Sequence, residues 1–144
     1  MVSELPQINL IIGDEAFTAR LRTDIAPVSC EVLAGMLPLN CEVIHARWSG
    51  ESIWAPLSRV WPAGLMLPTE HEAENPRPGD VLMFGGPISE PELLISYGRT
   101  RFASVAGPLA GNPVLTVCDR LERLSELGPT VLWRGAMRLQ IARA

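Results

Sequence analysis

The sequence predicts a mainly β protein whose strands close into an eight-stranded barrel capped by two helices. Short apolar segments alternate with polar residues along the chain and are separated by turns, as in antiparallel sheets. Two further segments repeat their apolar residues at helical spacing. Closure into a barrel removes the unpaired edges that about eight strands would otherwise expose, and the helices cover its ends.

The strands are predicted from alternation and from the turns between them. Residues 7–12 and 15–22 form a hairpin around Gly13-Asp14, because apolar residues alternate with polar ones after the turn. A second pair of strands folds about Ser49-Gly50. This pair consists of residues 42–48 and 51–57. The remaining predicted strands are 80–84, 92–97, 101–106 and 137–141.

The two helices are predicted from proline positions and apolar stripes. The first begins at Pro27, has apolar residues at helical spacing, and stops at Pro38. The second is predicted to begin at Asn112 as its N-cap and to end at Gly128-Pro129. Its apolar stripe is made of Val114, Val117, Cys118, Leu121 and Leu124. Residues 59–79, rich in proline, are predicted to form a long loop.

Composition predicts one domain over residues 1–144, since 47% hydrophobic and 19% charged residues are ordinary for a globular protein of this length. All 12 basic residues are arginine, which excludes a Schiff-base lysine and a phosphate-binding loop of the Walker type. The arginines are scattered and the net charge is −4, so we expect no nucleic-acid partner.

The cysteines and the apolar segments indicate the cellular compartment. The three cysteines include no CxxC pair, and no basic leader followed by an apolar stretch opens the chain, so we expect reduced thiols in a cytoplasmic protein. No apolar run approaches the roughly 20 residues of a membrane helix, so we expect no membrane partner. His71 lies between Glu70 and Glu72 without a second histidine at ligand spacing, so we expect no metal and no cofactor.

Several segments carry a resemblance to a known family. They are His45 to Glu51, Trp54 with Pro56, Tyr97-Gly98, Thr100 to Ser104, and Leu109 to Asn112. In these segments and in its order of elements, the chain resembles a bacterial cyclophilin-like family of unknown function. The resemblance implies a cyclophilin-like barrel and leaves the chemistry open, because a fold does not determine function.

The resemblance to true prolyl isomerases of this fold is partial. Arg47 can stand at the position of their strand arginine. Beyond the following turn the chain has Glu51, Ile53 and Trp54 in place of the isomerase pocket residues, and no later Phe, Trp and His series follows. Isomerase activity is therefore not implied by the family fold alone.

Strand alternation predicts that His45, Arg47 and Ser49 project to one face. A guanidinium and an imidazole about 7 Å apart can bind a carboxylate, an amide or a similar planar group. The alternative is an ordinary solvated face or a structural ion pair. Glu51 is either a positioned base or a salt-bridge partner of Arg47 across the hairpin.

The remaining candidates have equally ordinary alternatives. Trp54 and Tyr97 are predicted to line the cleft, although aromatic residues are core residues just as often. Arg101 and Asn112 lie before a predicted helix N-terminus that favours an anion, and Asn112 alternatively serves only as a cap. Glu90 and Glu92 are either paired carboxylates for acid-base work or part of a solvated loop.

Three classes of function remain open at this point. The first is a domain that binds a small molecule with a carboxylate or amide, or a partner protein, in a cleft around the His-x-Arg strand, as an accessory subunit of a catabolic enzyme. The second is an enzyme, either a weak prolyl isomerase using Arg47 or an amide-processing activity using His45 and Glu51. The third is a structural or assembly role, with exposed tryptophans at the interface of a homo-oligomer.

Overall fold

The computed structural model of the protein describes residues 1–144 and contains ten strands, two α-helices and a short 3-10 helix at Val2–Glu4. The helices are α1 (Pro27–Met36) and α2 (Leu121–Arg134). The strands are β1 (Gln7–Ile12), β2 (Glu15–Leu21), β3 (Leu39–His45), β4 (Gly50–Pro56), β5 (Asp80–Phe84), β6 (Glu92–Thr100), β7 (Ala103–Ser104), β8 (Gly107–Pro108), β9 (Asn112–Val117) and β10 (Met137–Arg143).

Eight of the strands form a closed antiparallel barrel in the order β1-β10-β3-β4-β6-β5-β9-β2. The barrel closes because β1 also pairs with β2 through the hairpin around Gly13, which takes a positive φ of 61°. The two remaining strands, β7 and β8, pair with each other in a small ribbon outside the barrel. The predicted mainly β class, the closed eight-stranded barrel and the two helices are confirmed.

The core lies inside the barrel and follows from strand alternation. Ile8, Leu10 and Ile12 of β1 are fully buried, whereas the residues between them are more exposed. The same alternation on the other strands, together with residues of the helices and connections, builds one cluster of 27 buried apolar residues. Each inward side chain loses contact with water, which is the main favourable contribution to folding.

The helices add apolar residues to this core from opposite ends of the barrel. Helix α1 leads directly into the start of β3 and buries Cys30 and Leu33. Helix α2 packs where β3 ends, at His45, and buries Leu124, Leu127 and Val131. Both helices thus cover the barrel as predicted, and neither is long and apolar enough to cross a membrane.

The structure corrects the prediction of a helix beginning at Asn112. Residues 112–117 form β9, which lies between β2 and β5. The register with β5 shifts between Val81 and Leu82, and beside this shift the adjacent residues Val114 and Leu115 are both buried. This irregularity interrupts the alternation of buried and exposed residues along β9. Its apolar residues therefore have the spacing of a helix, which explains the wrong prediction. Cys118, predicted on an apolar helix face, is exposed after the strand.

The end of the second helix also differs from the prediction. Helix α2 begins at Leu121 and continues through Gly128-Pro129 to Arg134. A Cβ atom at position 128 would lie 2.3 Å from the Tyr97 ring, so the close packing of the helix on β6 requires glycine there. Burial of Leu127 and Val131 on either side of this dipeptide favours the helical path, although Pro129 has no N–H to donate.

Two shifts in strand bounds matter for the functional site. Strand β3 was predicted over 42–48, but it ends at His45, and residues 46–49 form an irregular connection to β4. The strand predicted over 101–106 is reduced to β7. Arg47 therefore does not continue the alternation of the strand that carries His45.

Candidate functional site

A second, smaller apolar layer lies on the outside of the barrel. The outward side chains of β5 and β6 are buried beneath residues 101–110, which we call the covering segment. Phe102 of this segment meets Phe84 edge to face, with ring centroids 5.9 Å apart. The buried residues of the layer are Leu82, Phe84, Leu94, Phe102 and Leu109.

Hydrogen bonds hold the covering segment against the barrel. The Ser49 hydroxyl donates to the carbonyl of Ala103 and accepts from its N–H, both at 3.0 Å. The N–H of Phe102 donates to the carbonyl of Glu74 at 2.6 Å. Ser49 is itself buried, so its hydroxyl is shielded from competing water. The segment has a defined position relative to the connection between β3 and β4.

A cleft of about 300 Å³ opens between the covering segment and residues 46–49. Its apolar wall includes Ile44, Ala46, Leu94 and the half-buried Trp54. Trp48 lies beside the cleft with 57% of its surface exposed. Two indole side chains and an aliphatic wall thus line a space that falls at the small end of typical ligand sites.

Arg47 supplies the positive charge of the cleft. Its side chain is exposed, lines the cleft, and forms none of the ion pairs that engage other arginines. Glu51, predicted as its salt-bridge partner, instead accepts a hydrogen bond from the backbone N–H of Arg99 at 2.8 Å. The guanidinium of Arg47 is therefore free to bind a group that enters the cleft.

Glu92 supplies an acidic group in the same cleft. It is the first residue of β6 and is 7% exposed, on the outward side that also carries Leu94. Burial, together with the nearby charge of Glu90, raises the pKa of Glu92 to about 7. No hydrogen bond from a neighbouring group lowers it. The carboxyl therefore exchanges a proton near neutral pH.

His45 and Tyr97 lie on the other side of the sheet, within the barrel. The backbone carbonyl of Ala46 accepts a hydrogen bond from the His45 Nδ1–H at 2.8 Å, and the other ring nitrogen, Nε2, is hydrogen-bonded to the Tyr97 hydroxyl at 2.7 Å. Tyr97 belongs to the main core, where burial and then the charge of Glu51 raise its pKa. The predicted common face for His45 and Arg47 is thus corrected, because β3 ends between them.

Arg101 and Asn112 are also separate from the cleft. The Arg101 Nε donates to the Glu74 carboxylate at 2.7 Å on an exposed surface. Asn112 does not precede a helix. Its amide donates to the Ser29 hydroxyl and to the Pro68 carbonyl, both at 2.8 Å, and its Oδ1 accepts from the N–H of Glu70.

Glu70 completes this buried polar network. Its carboxylate accepts from the N–H groups of Val28 and Ser29 at the start of α1, and from the Ser29 hydroxyl at 2.6 Å. Burial alone would raise the pKa of Glu70, but the hydrogen bond from Ser29 and those from the two N–H groups outweigh burial and lower it. The network is a helix cap supplied by a distant loop.

Of the predicted site residues, the cleft contains Arg47 and Trp54. His45, Glu51, Tyr97, Arg101 and Asn112 have partners elsewhere. His45 and Glu51 are therefore not brought together in a shared pocket for amide chemistry. No group of three or more histidine, cysteine, aspartate or glutamate side chains is arranged to hold a metal ion.

A family model described as "Protein of unknown function (DUF3830)" matches residues 8–143, which include every strand of the barrel except the first residue of β1. The chain belongs to the DUF3830 family. No curated protein matches this DUF3830 chain.

Two solved structures share the fold of the DUF3830 chain. "Structure of McbB in complex with tryptophan" has a TM-score of 0.66 and 22% identity, and the match covers 95% of this chain and 44% of McbB. The solution structure of the hypothetical protein AF2241 from Archaeoglobus fulgidus has a TM-score of 0.60 and 14% identity, covering 97% of this chain and 95% of AF2241. The DUF3830 chain thus spans less than half of McbB. These likenesses fit the cyclophilin-like barrel predicted from the sequence.

Sequence reasoning did not select two of the residues that matter most in the DUF3830 fold. The sequence leaves Glu92, with Glu90, open between a pair of carboxylates for acid-base work and a solvated loop, and their pairing beside a strand is the one usable signal. Glu70 lies in the predicted long loop 59–79, and nothing in the local sequence indicates that it reaches α1. Only the three-dimensional structure brings residues so distant in the chain together.

Proposed function

We propose that the outer cleft binds a small molecule that carries a carboxylate or a similar planar group next to an apolar body. The observation that supports this proposal is the free guanidinium of Arg47 beside an apolar cleft that also contains Trp54. A small ligand site is usually an apolar concavity with a few polar groups that set orientation. The cleft has this composition.

The chemistry of the two groups favours such a ligand. A guanidinium presents parallel N–H donors that match the two oxygens of a carboxylate, and the pairing is stronger where part of the water is excluded. Trp54 offers a large apolar surface to the remainder of the molecule. Arg47 thus fixes one end of the ligand while the wall of Trp54 and Leu94 accommodates the other.

Calorimetric titration with indole-3-propionate tests the proposal, since this probe joins a carboxylate to a flat apolar ring. The tryptophan present in the McbB complex makes an indole compound a reasonable first choice. Arg47→Gln should weaken binding about tenfold, the effect of losing one charged pair. Arg143→Gln is the matched control, because Arg143 is exposed at the end of β10 and does not line the cleft. Equal affinities for the wild type and Arg47→Gln would contradict the proposal.

A second candidate function is assembly with another copy of the chain. Trp133 is 85% exposed and Leu132 is 56% exposed near the end of α2, so two consecutive large apolar residues are available for contact there. Light scattering over a range of protein concentrations tests this candidate. A dimer that Trp133→Glu dissociates supports it, whereas a monomer at every concentration contradicts it.

A further inference from the structure

The cleft contains a second charged group that the proposed carboxylate ligand does not use. Glu92 is buried on the wall of the cleft, and Arg47 lines the same space. The two residues form no ion pair with each other. The Glu92 carboxyl has no hydrogen-bond donor within the protein and opens onto the cavity, so a ligand that enters the cleft can supply the donor.

The residues around Glu92 provide no hydrogen-bond donor for its carboxyl group. Strand pairing sets it opposite Pro56 of β4 and Phe84 of β5, neither of which has a polar side chain. The charge that acts on it is that of Glu90, on the connection before β6, and Arg47 lines the same cleft without contributing to the shift in the pKa of Glu92. Glu90 is held by the Ser58 hydroxyl at 2.8 Å and adds a like charge. The negative potential of this end of the cleft therefore favours a cation.

The opposite charges of the two residues match a molecule that carries both signs. A primary ammonium has three donors and is attracted to a carboxylate that lacks them. A ligand carboxylate pairs with the free guanidinium of Arg47. Seven of the 12 residues that line the cleft are apolar, among them Trp48 and Trp54, which favours a ligand that also has an apolar part.

We infer that the ligand of the cleft is an amino acid or related aminocarboxylate with a large apolar or aromatic side chain. Its ammonium group pairs with Glu92, its carboxylate pairs with Arg47, and its side chain packs on Trp54. This inference rests on the proposed function and specifies it, because a simple carboxylate would use Arg47 alone.

Three probes that differ by one group separate the two charge contacts. Tryptophan has both groups, indole-3-propionate lacks the ammonium, and tryptamine lacks the carboxylate. Calorimetric titration at about pH 8, where a carboxyl with a pKa of about 7 is ionised, should rank tryptophan above both others. Each missing contact should weaken binding about tenfold.

Two isosteric variants assign the contacts to residues. Glu92→Gln should weaken tryptophan and tryptamine about tenfold and leave indole-3-propionate unchanged. Arg47→Gln should weaken tryptophan and indole-3-propionate and leave tryptamine unchanged. Unfolding midpoints of both variants, measured without ligand, show that the proteins are folded under the conditions of the titration.

The pH dependence gives a further readout with a definite sign. When the pH rises through about 7, Glu92 ionises, so the affinity for tryptophan and tryptamine should increase. A ligand carboxylate bound by protonated Glu92 as a donor would show the reverse dependence. That reverse dependence overturns the inference.

The outcomes distinguish failure of the inference from failure of the proposed function. If indole-3-propionate binds as well as tryptophan, with loss only in Arg47→Gln, the aminocarboxylate inference is wrong and the proposed function stands. If none of the three probes binds more tightly to the wild type than to Arg47→Gln, both are wrong. Loss of tryptophan and tryptamine binding in Glu92→Gln, with tight binding in the wild type, supports both.

Discussion

Glu70 and Glu92 are two shielded glutamates of one chain in opposite situations. Glu70 accepts hydrogen bonds from the N–H groups of Val28 and Ser29 and from the Ser29 hydroxyl. Glu92 has no such donor and faces a cavity. Hydrogen bonding lowers the pKa of Glu70 despite its burial, whereas burial and the charge of Glu90 raise that of Glu92 to about 7. The difference separates a carboxylate that stabilises the fold from one that is available to a ligand.

The largest expected effect is on the free energy of unfolding of the protein without ligand, through Glu92 in the cleft. With a folded pKa of about 7 and an ordinary value of 4.5, the stability linked to Glu92 is fully present below pH 4.5 and is lost as the pH rises to about 7. Glu92→Gln should therefore increase the free energy of unfolding at about pH 8, by up to ~3 kcal/mol, and change it little at about pH 4. Urea denaturation at both pH values measures this difference. The exposed Glu72→Gln is the control, and an equal effect of Glu92→Gln at both pH values would count against an unsatisfied carboxyl.

The next effect tests the polar network around Glu70. Asn112→Ala removes two donors and an acceptor from buried groups, so the free energy of unfolding should fall by about 2 kcal/mol. Asn75→Ala makes the same change on an exposed loop residue and should have little effect. Urea denaturation at neutral pH compares the two variants. Similar losses in both would mean that the network does not stabilise the fold.

A smaller effect is expected for Glu70 itself. Glu70→Gln keeps the shape of the side chain but weakens the cap of α1, which should lower stability by about 1 kcal/mol at neutral pH. Because the folded pKa is lowered, this contribution is present above 4.5 and is lost as the pH falls through the folded value. Thermal unfolding of wild type and variant between neutral and acidic pH measures the difference. A gap that widens on acidification would contradict the assignment.

The smallest effect concerns the influence of Glu90 on Glu92. Glu90→Gln removes the like charge and should lower the pKa of Glu92 by less than about one unit, because burial is the larger cause. Titration of the Glu92 carboxyl carbon by NMR in both proteins measures the shift. An unchanged pKa would show that burial alone raises it.

Local sequence patterns predict a large part of this fold. The class of fold, the first hairpin and α1 follow from local patterns, namely alternation, the Gly13 turn and Pro27 as a first helical residue. The pattern after Asn112 is misleading because a register irregularity gives a strand the spacing of a helix. The periodicity of apolar residues reflects which residues are buried. When both faces of an irregular strand are buried, its apolar residues can have the same spacing as those of an amphipathic helix.

The functional residues were less predictable for a related reason. Arg47 and Trp54 were selected and do lie in the cleft, whereas His45 lies on the inward face of β3 beside Tyr97. Strict alternation through residue 48 would put Arg47 on the face of His45, but β3 ends three residues earlier, so Arg47 reaches the outer cleft instead. Glu92 enters the cleft because residues from β3, β4 and the covering segment surround it, and no local pattern contains that information.

The two hydrogen bonds between Ser49 and Ala103 have a thermodynamic consequence for the cleft. They join the connection that carries Arg47 to the segment on the opposite side before any ligand is present. An incoming molecule therefore does not have to order a loop, and most of its contact energy is retained as affinity rather than offset by lost chain entropy. Recognition at this barrel is then governed by fit to a preformed shape.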